Sequence, residues 1–224
     1  MSIIKSLLKL KHLGFYPKNI LDIGAHHGRW SININKHVYP KSNYTLIEAI
    51  DYKELNKINN FENMEYKILL LNDKEEEIIW YQKEYQGDSI YKENTKHYDN
   101  CKEIKRIATT LDIEFSDIKF DLIKIDCQGA EIPILKGGIN TIKNTSVIIL
   151  EVPFMGEYNK GVSNFLEHVR YMDSIGFIPF DISEMHNLNL DNIIDILIQI
   201  DIVFIRKEHI INDKVKNIIN NIGS

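Results

Sequence analysis

Acidic and amide side chains recur where short apolar runs end. Asp22 falls in NILDIG (19–24), Glu48 near the end of NYTLIEA (43–49), and Asn72 and Asp73 just after EYKILLL (65–71). Asp126 closes FDLIKID (120–126), and Glu151 lies near the end of SVIILEV (146–152). If these runs are parallel strands, the polar groups meet at one edge of a sheet. Carboxylates so gathered repel one another unless they hold something cationic or hydrogen-donating. The stretch after Asp126 adds an elbow, Cys127-Gln128-Gly129, then Glu131 and Pro133. Pro133 suits the first turn of a helix, so Glu131 either complements that helix end or joins the chemistry. A buried carboxylate beside a like charge has a raised pKa, which suits a general base. Asp126 and Glu151, with Glu131 third, are the candidates to take a proton from a hydroxyl.

The first turn, DIGAHHG, narrows the ligand. The dinucleotide fingerprint G-x-G-x-x-G uses its middle glycine to let backbone approach a pyrophosphate. Counting from Gly24, His26 occupies that place, and Gly28 then opens the helix. Glu48 stands twenty residues beyond Gly28, where an acidic side chain on a second strand hydrogen-bonds ribose hydroxyls. A nucleoside without phosphate, carrying an amino acid and a cationic sulfur, fits such an edge: S-adenosylmethionine. A Mg²⁺ ion held by Asp126, Glu151 and His168 or His26 is a further option. No H-x-H or H-E-x-x-H spacing supports it, and no metal is assigned.

The elements that must position these residues alternate in type. GRWSININKHV (28–38), DYKELNKINN (51–60), PILKGGINTIK (133–143) and SNFLEHVRYMDSIG (163–176) read as helices. EEIIWYQ (76–82) reads as an added strand, and FIPFDIS (177–183) and IDIVFIRK (200–207) as closing strands. Near-continuous apolar strands alternating with helices predict an α/β fold with a parallel sheet covered on both faces. No repeat or linker divides the chain, so residues 1–224 are expected to be one domain. Its flanks are an N-terminal amphipathic helix (1–14), with a membrane-surface helix as the other reading, and a C-terminal helix or tail (208–224). The tyrosine-rich segment 80–100 reads either as a lid over the site or as a solvated excursion, and MGEYNKG (155–161) as a border of the acceptor. A net charge of −5 without charge blocks argues against nucleic acid. Two cysteines make no disulfide framework, and no apolar run approaches a membrane span. A cytoplasmic location is expected.

ILDIGAHHGRWS, TTLDIEFSD (109–117), LIKIDCQGAEIPILKGG and VIILEV (147–152) together resemble the FkbM-type methyltransferases over about residues 15 to 205. The resemblance implies a Rossmann-like fold with a mostly parallel seven-stranded sheet and helices on both faces. It implies S-adenosylmethionine as cofactor and O-methylation of a hydroxyl on a sugar, glycan or related small metabolite. Carried onto this chain, Asp22, Gly24, Ala25, His26 and Gly28 would form the cofactor turn. Glu48 would hold the ribose, Asn72 would lie near the adenine, and Asp126 beside the transferable methyl. The alternatives are a non-catalytic cofactor-binding domain of the same fold and an NAD-dependent oxidoreductase, which the missing middle glycine disfavours. DCQG after the fourth strand is not the N/D-P-P-Y tetrad that clamps a flipped base. The expected partner is a small-molecule or glycan acceptor. Nucleic acid and stable membrane insertion are not expected, and the oligomeric state, a homodimer included, is left open.

Overall fold

The computed structural model describes residues 2–83, 87–94, 96–154, 159–190 and 194–210. Parts of the expected lid (84–86 and 95), of MGEYNKG (155–158) and the tail 211–224 lie outside them. Five runs form parallel strands: β1 Asn19–Ile23, β2 Asn43–Glu48, β3 Met64–Ile68, β6 Leu122–Ile125 and β7 Val147–Pro153. β6 and β7 are buried along their whole length, as expected of strands covered on both faces. Two later strands, β8 Phe177–Leu190 and β9 Ile194–Arg206, complete a seven-stranded sheet of order β3-β2-β1-β6-β7-β9-β8. β9 runs antiparallel to both neighbours. The fold is thus the Rossmann-like α/β arrangement. Strand order reverses between β1 and β6, so a crevice opens at the carboxyl ends of those two strands.

Helices α1 Ile3–His12, α2 Arg29–His37, α3 Leu111–Phe115, α4 Glu131–Lys136, α5 Ile139–Ile142, α6 Phe165–Ser174 and α7 Lys207–Ile210 accompany the strands. Two large apolar clusters form, one holding Leu21, Ile123, Leu150 and Phe204, the other Ile20, Leu46, Leu122 and Val203, and a small one holds Leu70, Trp80 and Ala108. Neighbouring residues of one strand thus fall in different clusters because successive side chains point to opposite faces. α1 buries Ile3, Leu7 and Leu10, and its Ser6 hydroxyl and Lys9 ammonium both bond Asp181 on β8 (2.7 and 2.6 Å). The amphipathic face is therefore spent on the protein itself. No helix among the described residues is long and apolar enough to cross a membrane.

Several elements differ from the sequence reading. Residues 53–60 form a 3₁₀-helix rather than an α-helix. The third strand ends at Ile68, and Leu71 pairs instead with Thr109. β4 Glu76–Gln82 does not join the main sheet. It forms a two-stranded antiparallel ribbon with β5 Lys102–Ala108, a strand the sequence reading did not identify. The helix expected over 133–143 is two helices broken at Gly137–Gly138. A Cβ on Gly137 would lie 2.2 Å from the Asn72 carbonyl oxygen, so the chain must pass there without a side chain. The closing strands are far longer than 177–183 and 200–207, because pairing with each other satisfies their backbone beyond the reach of the core.

Candidate functional site

At the carboxyl ends of β1, β2, β6 and β7 lies a cavity of about 510 Å³. Its apolar wall includes Ile23, Ile50, Leu70, Trp80 and Ile134, and its polar end Asp126, Gln128, Glu151, His186 and Gln199. Glu48 faces it from β2. The Glu48 carboxylate accepts backbone N–H bonds from His26 (2.7 Å), Ala49 (2.8 Å) and Ile50 (3.1 Å). Burial raises its pKa, and the three N–H bonds only partly oppose that.

The turn after β1 is shaped by close approach. Gly24 has φ +76°, and a Cβ there would sit 1.9 Å from the Asp126 carbonyl oxygen. The β1 and β6 ends therefore touch only because this residue is glycine. His26, also left-handed at φ +49°, lines the cavity. Its ring stacks on His27 with centroids 3.7 Å apart, and both meet the Tyr52 ring edge-on. Burial, then the neighbouring His27 and Arg29, lowers the His26 pKa.

Asp126, just past the end of β6, is fixed by Lys124 two residues earlier, with Nζ 2.9 Å from Oδ2. Lys124 also lies 3.8 Å from Asp22 and sits over the Trp30 ring. Burial alone would raise the Asp126 pKa. Lys124 and hydrogen bonds to it and to Glu151 outweigh that and bring it below the usual carboxylate range. Glu151 moves the opposite way, well upward, through burial and the nearby Asp126, Glu131 and Asp201 carboxylates. The Gln128 amide donates to Glu151 (2.7 Å), and Gln128 itself is left-handed at φ +51°. Its carbonyl oxygen accepts from Ser89 (3.0 Å) and Asn159 (2.6 Å), so the elbow is gripped from two loops. From the segment 80–100, Gly87, Asp88, Ile90 and Glu93 line the cavity.

Of the residues expected at the site, Gly24, His26, Glu48, Asp126 and Glu151 meet at this cavity. Asp22, Ala25, Gly28, Asn72 and Glu131 are not among its lining. Asp22 is wholly buried, accepts from Ser31 (2.7 Å) and faces Lys124, and its burial raises its pKa. Ala25 packs into the core, and Gly28 caps α2 beneath Leu46 and Ile58. Asn72 is held just beyond the ribbon, its backbone N–H donating to the Thr109 carbonyl (2.9 Å). Glu131 is wholly buried. Its Oε1 accepts the N–H groups of Cys127 (2.9 Å) and Gly129 (3.2 Å), while Oε2 lies 3.8 Å from His168. It braces the elbow from behind. Lys124, Tyr52, Trp80, His186 and Gln199 were not singled out from sequence, and Gln128 was named only as part of the elbow. Lys124 left a signal, a cation interrupting an apolar strand two residues before Asp126. His186 and Gln199 left none, since only the β8–β9 pairing brings them here.

A search of curated proteins returns no match. Among solved structures, the chain is similar to a Pyrococcus horikoshii protein assigned as an RNA methyltransferase, at 13% identity and TM-score 0.51 over 92% of this chain and 83% of that one. It is also similar to the N-methyltransferase NodS of Bradyrhizobium japonicum, solved with S-adenosyl-L-homocysteine. There the identity is 11% and the TM-score 0.50, over 92% of this chain and 86% of that one. At such identities these likenesses concern the fold. The family model described as the methyltransferase FkbM domain matches residues 22–179, a span that runs from the end of β1 to the start of β8 and holds most of the cavity wall. The chain belongs to the FkbM family of methyltransferases, whose cofactor is S-adenosylmethionine.

Proposed function

We propose that this protein is an O-methyltransferase acting on a hydroxyl of a sugar, a glycan or a related small metabolite. The observation that carries the reading is the Asp126–Gln128–Glu151 group at one end of a cavity whose other wall presents Glu48. The residues fit the cofactor. Glu48 accepts three N–H bonds and has roughly one further acceptor site for a ribose hydroxyl. Gly24 keeps the cradle clear of a Cβ, and Leu70, Trp80 and Ile134 offer an apolar wall for the adenine. The volume lies within the range of about 300–1,000 Å³ usual for small-molecule sites.

When bound, the cofactor supplies a sulfonium methyl that is already activated. The protein must orient the acceptor hydroxyl, take its proton and exclude water. Lys124 and Gln128 hold the two carboxylates of the pair in place, so a hydroxyl that reaches the pair can pass its proton to it as its oxygen gains the methyl, Glu151 being the more basic member because burial and its like-charged neighbours raise it. Asp88, Ile90 and Glu93 line the cavity, which supports reading their segment as a lid. We place the whole chain, 1–224, in one catalytic domain, and its free cysteines, Cys101 and Cys127, accord with the cytoplasm.

The test is calorimetric titration with S-adenosylmethionine, S-adenosylhomocysteine and, as control, NADH, followed by radiolabelled methyl transfer to a panel of sugars, oligosaccharides and small alcohols. Asp126→Asn is expected to keep cofactor affinity and lose about 10²-fold or more in turnover. Near-normal turnover in both Asp126→Asn and Glu151→Gln would remove the carboxylate base. Cofactor binding without transfer to any acceptor would favour a non-catalytic domain.

A further inference from the structure

We infer that Glu151, His186 and Asp201 form a divalent-cation site at the polar end of the cavity. One ligand atom from each lies within 4.8 Å of the others. An ion at about 2.1 Å from its ligands sets them roughly 3 Å apart when adjacent and about 4.2 Å apart when opposite, so small side-chain movements close the set. The three residues come from three neighbouring strands. Glu151 on β7 pairs directly with Asp201 on β9. His186 on β8 pairs with Gln199, which shares a face of β9 with Asp201. The β8 register is irregular between His186 and Asn187, a local kink of the kind that re-aims a side chain.

The contacts already made do not use up these groups. His186 Nε2 stands 3.6 Å from Asp201 Oδ1, within ion-pair range but beyond a good hydrogen bond. Lys124 lies against Asp126 and Asp22, and among the described residues no Lys or Arg forms an ion pair with Glu151 or Asp201. Two carboxylates and an imidazole thus converge; the Lys124 charge reaches Glu151 and Asp201 while its ammonium is bonded to Asp126, and His186 itself stands within ion-pair range of Asp201. This donor set suits Mn²⁺, Fe²⁺ or Zn²⁺. It differs from the set considered from sequence: His168 is buried behind the elbow against Glu131, and His26 is stacked on His27.

Glu151 and His186 line the cavity, so the open positions of the ion face the acceptor. There it would take two adjacent oxygens, which narrows the acceptor to one with neighbouring hydroxyl or carbonyl oxygens. This last step rests on the O-methyltransferase reading, whereas the ion site does not.

The experiment is a Mn²⁺ titration of the full chain, followed by electron paramagnetic resonance, with S-adenosylhomocysteine affinity measured on the same samples. One bound Mn²⁺ per chain is expected, with spin-echo modulation from one imidazole nitrogen. Asp201→Asn and His186→Ala are each expected to weaken Mn²⁺ binding about tenfold or more, and Asp201→Asn, which lies outside the cavity lining, is expected to leave S-adenosylhomocysteine affinity within about threefold. No bound Mn²⁺ at millimolar concentration, no imidazole signal in the unaltered protein, or equal binding by both variants would overturn the site. Because the cofactor analogue is read separately, such a failure is distinct from failure of the methyltransferase reading.

Discussion

Replacing Gly24 by alanine tests how the β1 and β6 ends are joined. Two costs arise. The residue has φ +76°, and an L side chain in that region costs about 1–2 kcal/mol. The new Cβ would also stand 1.9 Å from the Asp126 carbonyl oxygen and 2.8 Å from its carbon. An ordinary contact is about 3.4 Å or more, so the two strand ends must part by roughly 1.5 Å. The obstacle is backbone that also donates the Asp126 N–H to the Ile23 carbonyl (3.0 Å), so it cannot swing aside as a side chain would. Overpacking of this kind costs about 1–3 kcal/mol. Gly14 separates the two terms: its φ is +97°, yet nothing lies within 4 Å of its would-be Cβ. Gly14→Ala should therefore lose about 1–2 kcal/mol and Gly24→Ala about 2–5 kcal/mol, as read by urea unfolding at unchanged slope. Because a displacement of about 1 Å at a reacting centre can cost 10²-fold, Gly24→Ala should also lose methyl transfer and much of its cofactor affinity, while Gly14→Ala keeps both. Equal stability and equal cofactor affinity in the two variants would refute the close-approach argument.

Two further outcomes follow from the packing around the site. Asp112 accepts from the N–H groups of Asn140 and Thr141 in the first turn of α5, and from both their side chains, at 2.8–3.1 Å. Burial would raise its pKa, but these bonds outweigh it and set the folded value below the ordinary 3.8. Its stabilisation is then complete above that ordinary value and is lost as pH falls through the folded one. Asp112→Ala should cost about 1–2 kcal/mol at neutral pH, the worth of a helix cap, and acid unfolding curves should show the unaltered protein losing stability more steeply below pH 3.8 than the variant. If both curves share one slope there, Asp112 contributes no linkage. Glu131→Gln keeps an acceptor for Cys127 and Gly129 and gains a donor that can face His168, so it should fold and bind cofactor nearly as before. Glu131→Ala leaves buried N–H groups unmade and should lose about 1–3 kcal/mol, with turnover falling as the elbow loosens. Retained turnover in the alanine variant would show that the elbow stands without its brace.

Much of this protein was written locally. Apolar runs without alternation announced strands buried on both faces, and in β6 and β7 they are. The turn glycine, Glu48 and Asp126 could be placed at strand ends because a strand delivers its last residues to a predictable edge once its neighbours are parallel. The Asn164-to-Glu167 capping box fixed the start of α6 through bonds within four residues. What the sequence left open depended on partners distant along the chain. Asp22 and Glu131 share the acidic pattern of the site, yet Ser31, Lys124 and the elbow N–H groups claim them, and only packing decides which carboxylate turns inward. β5 has its register set by β4, and alone it reads as charged coil. His186, Gln199 and Asp201 lie on the β8–β9 hairpin, where irregular register decides which side chains reach the cavity. Composition records residue types, but cross-strand pairing, set by the whole sheet, decides which of them meet.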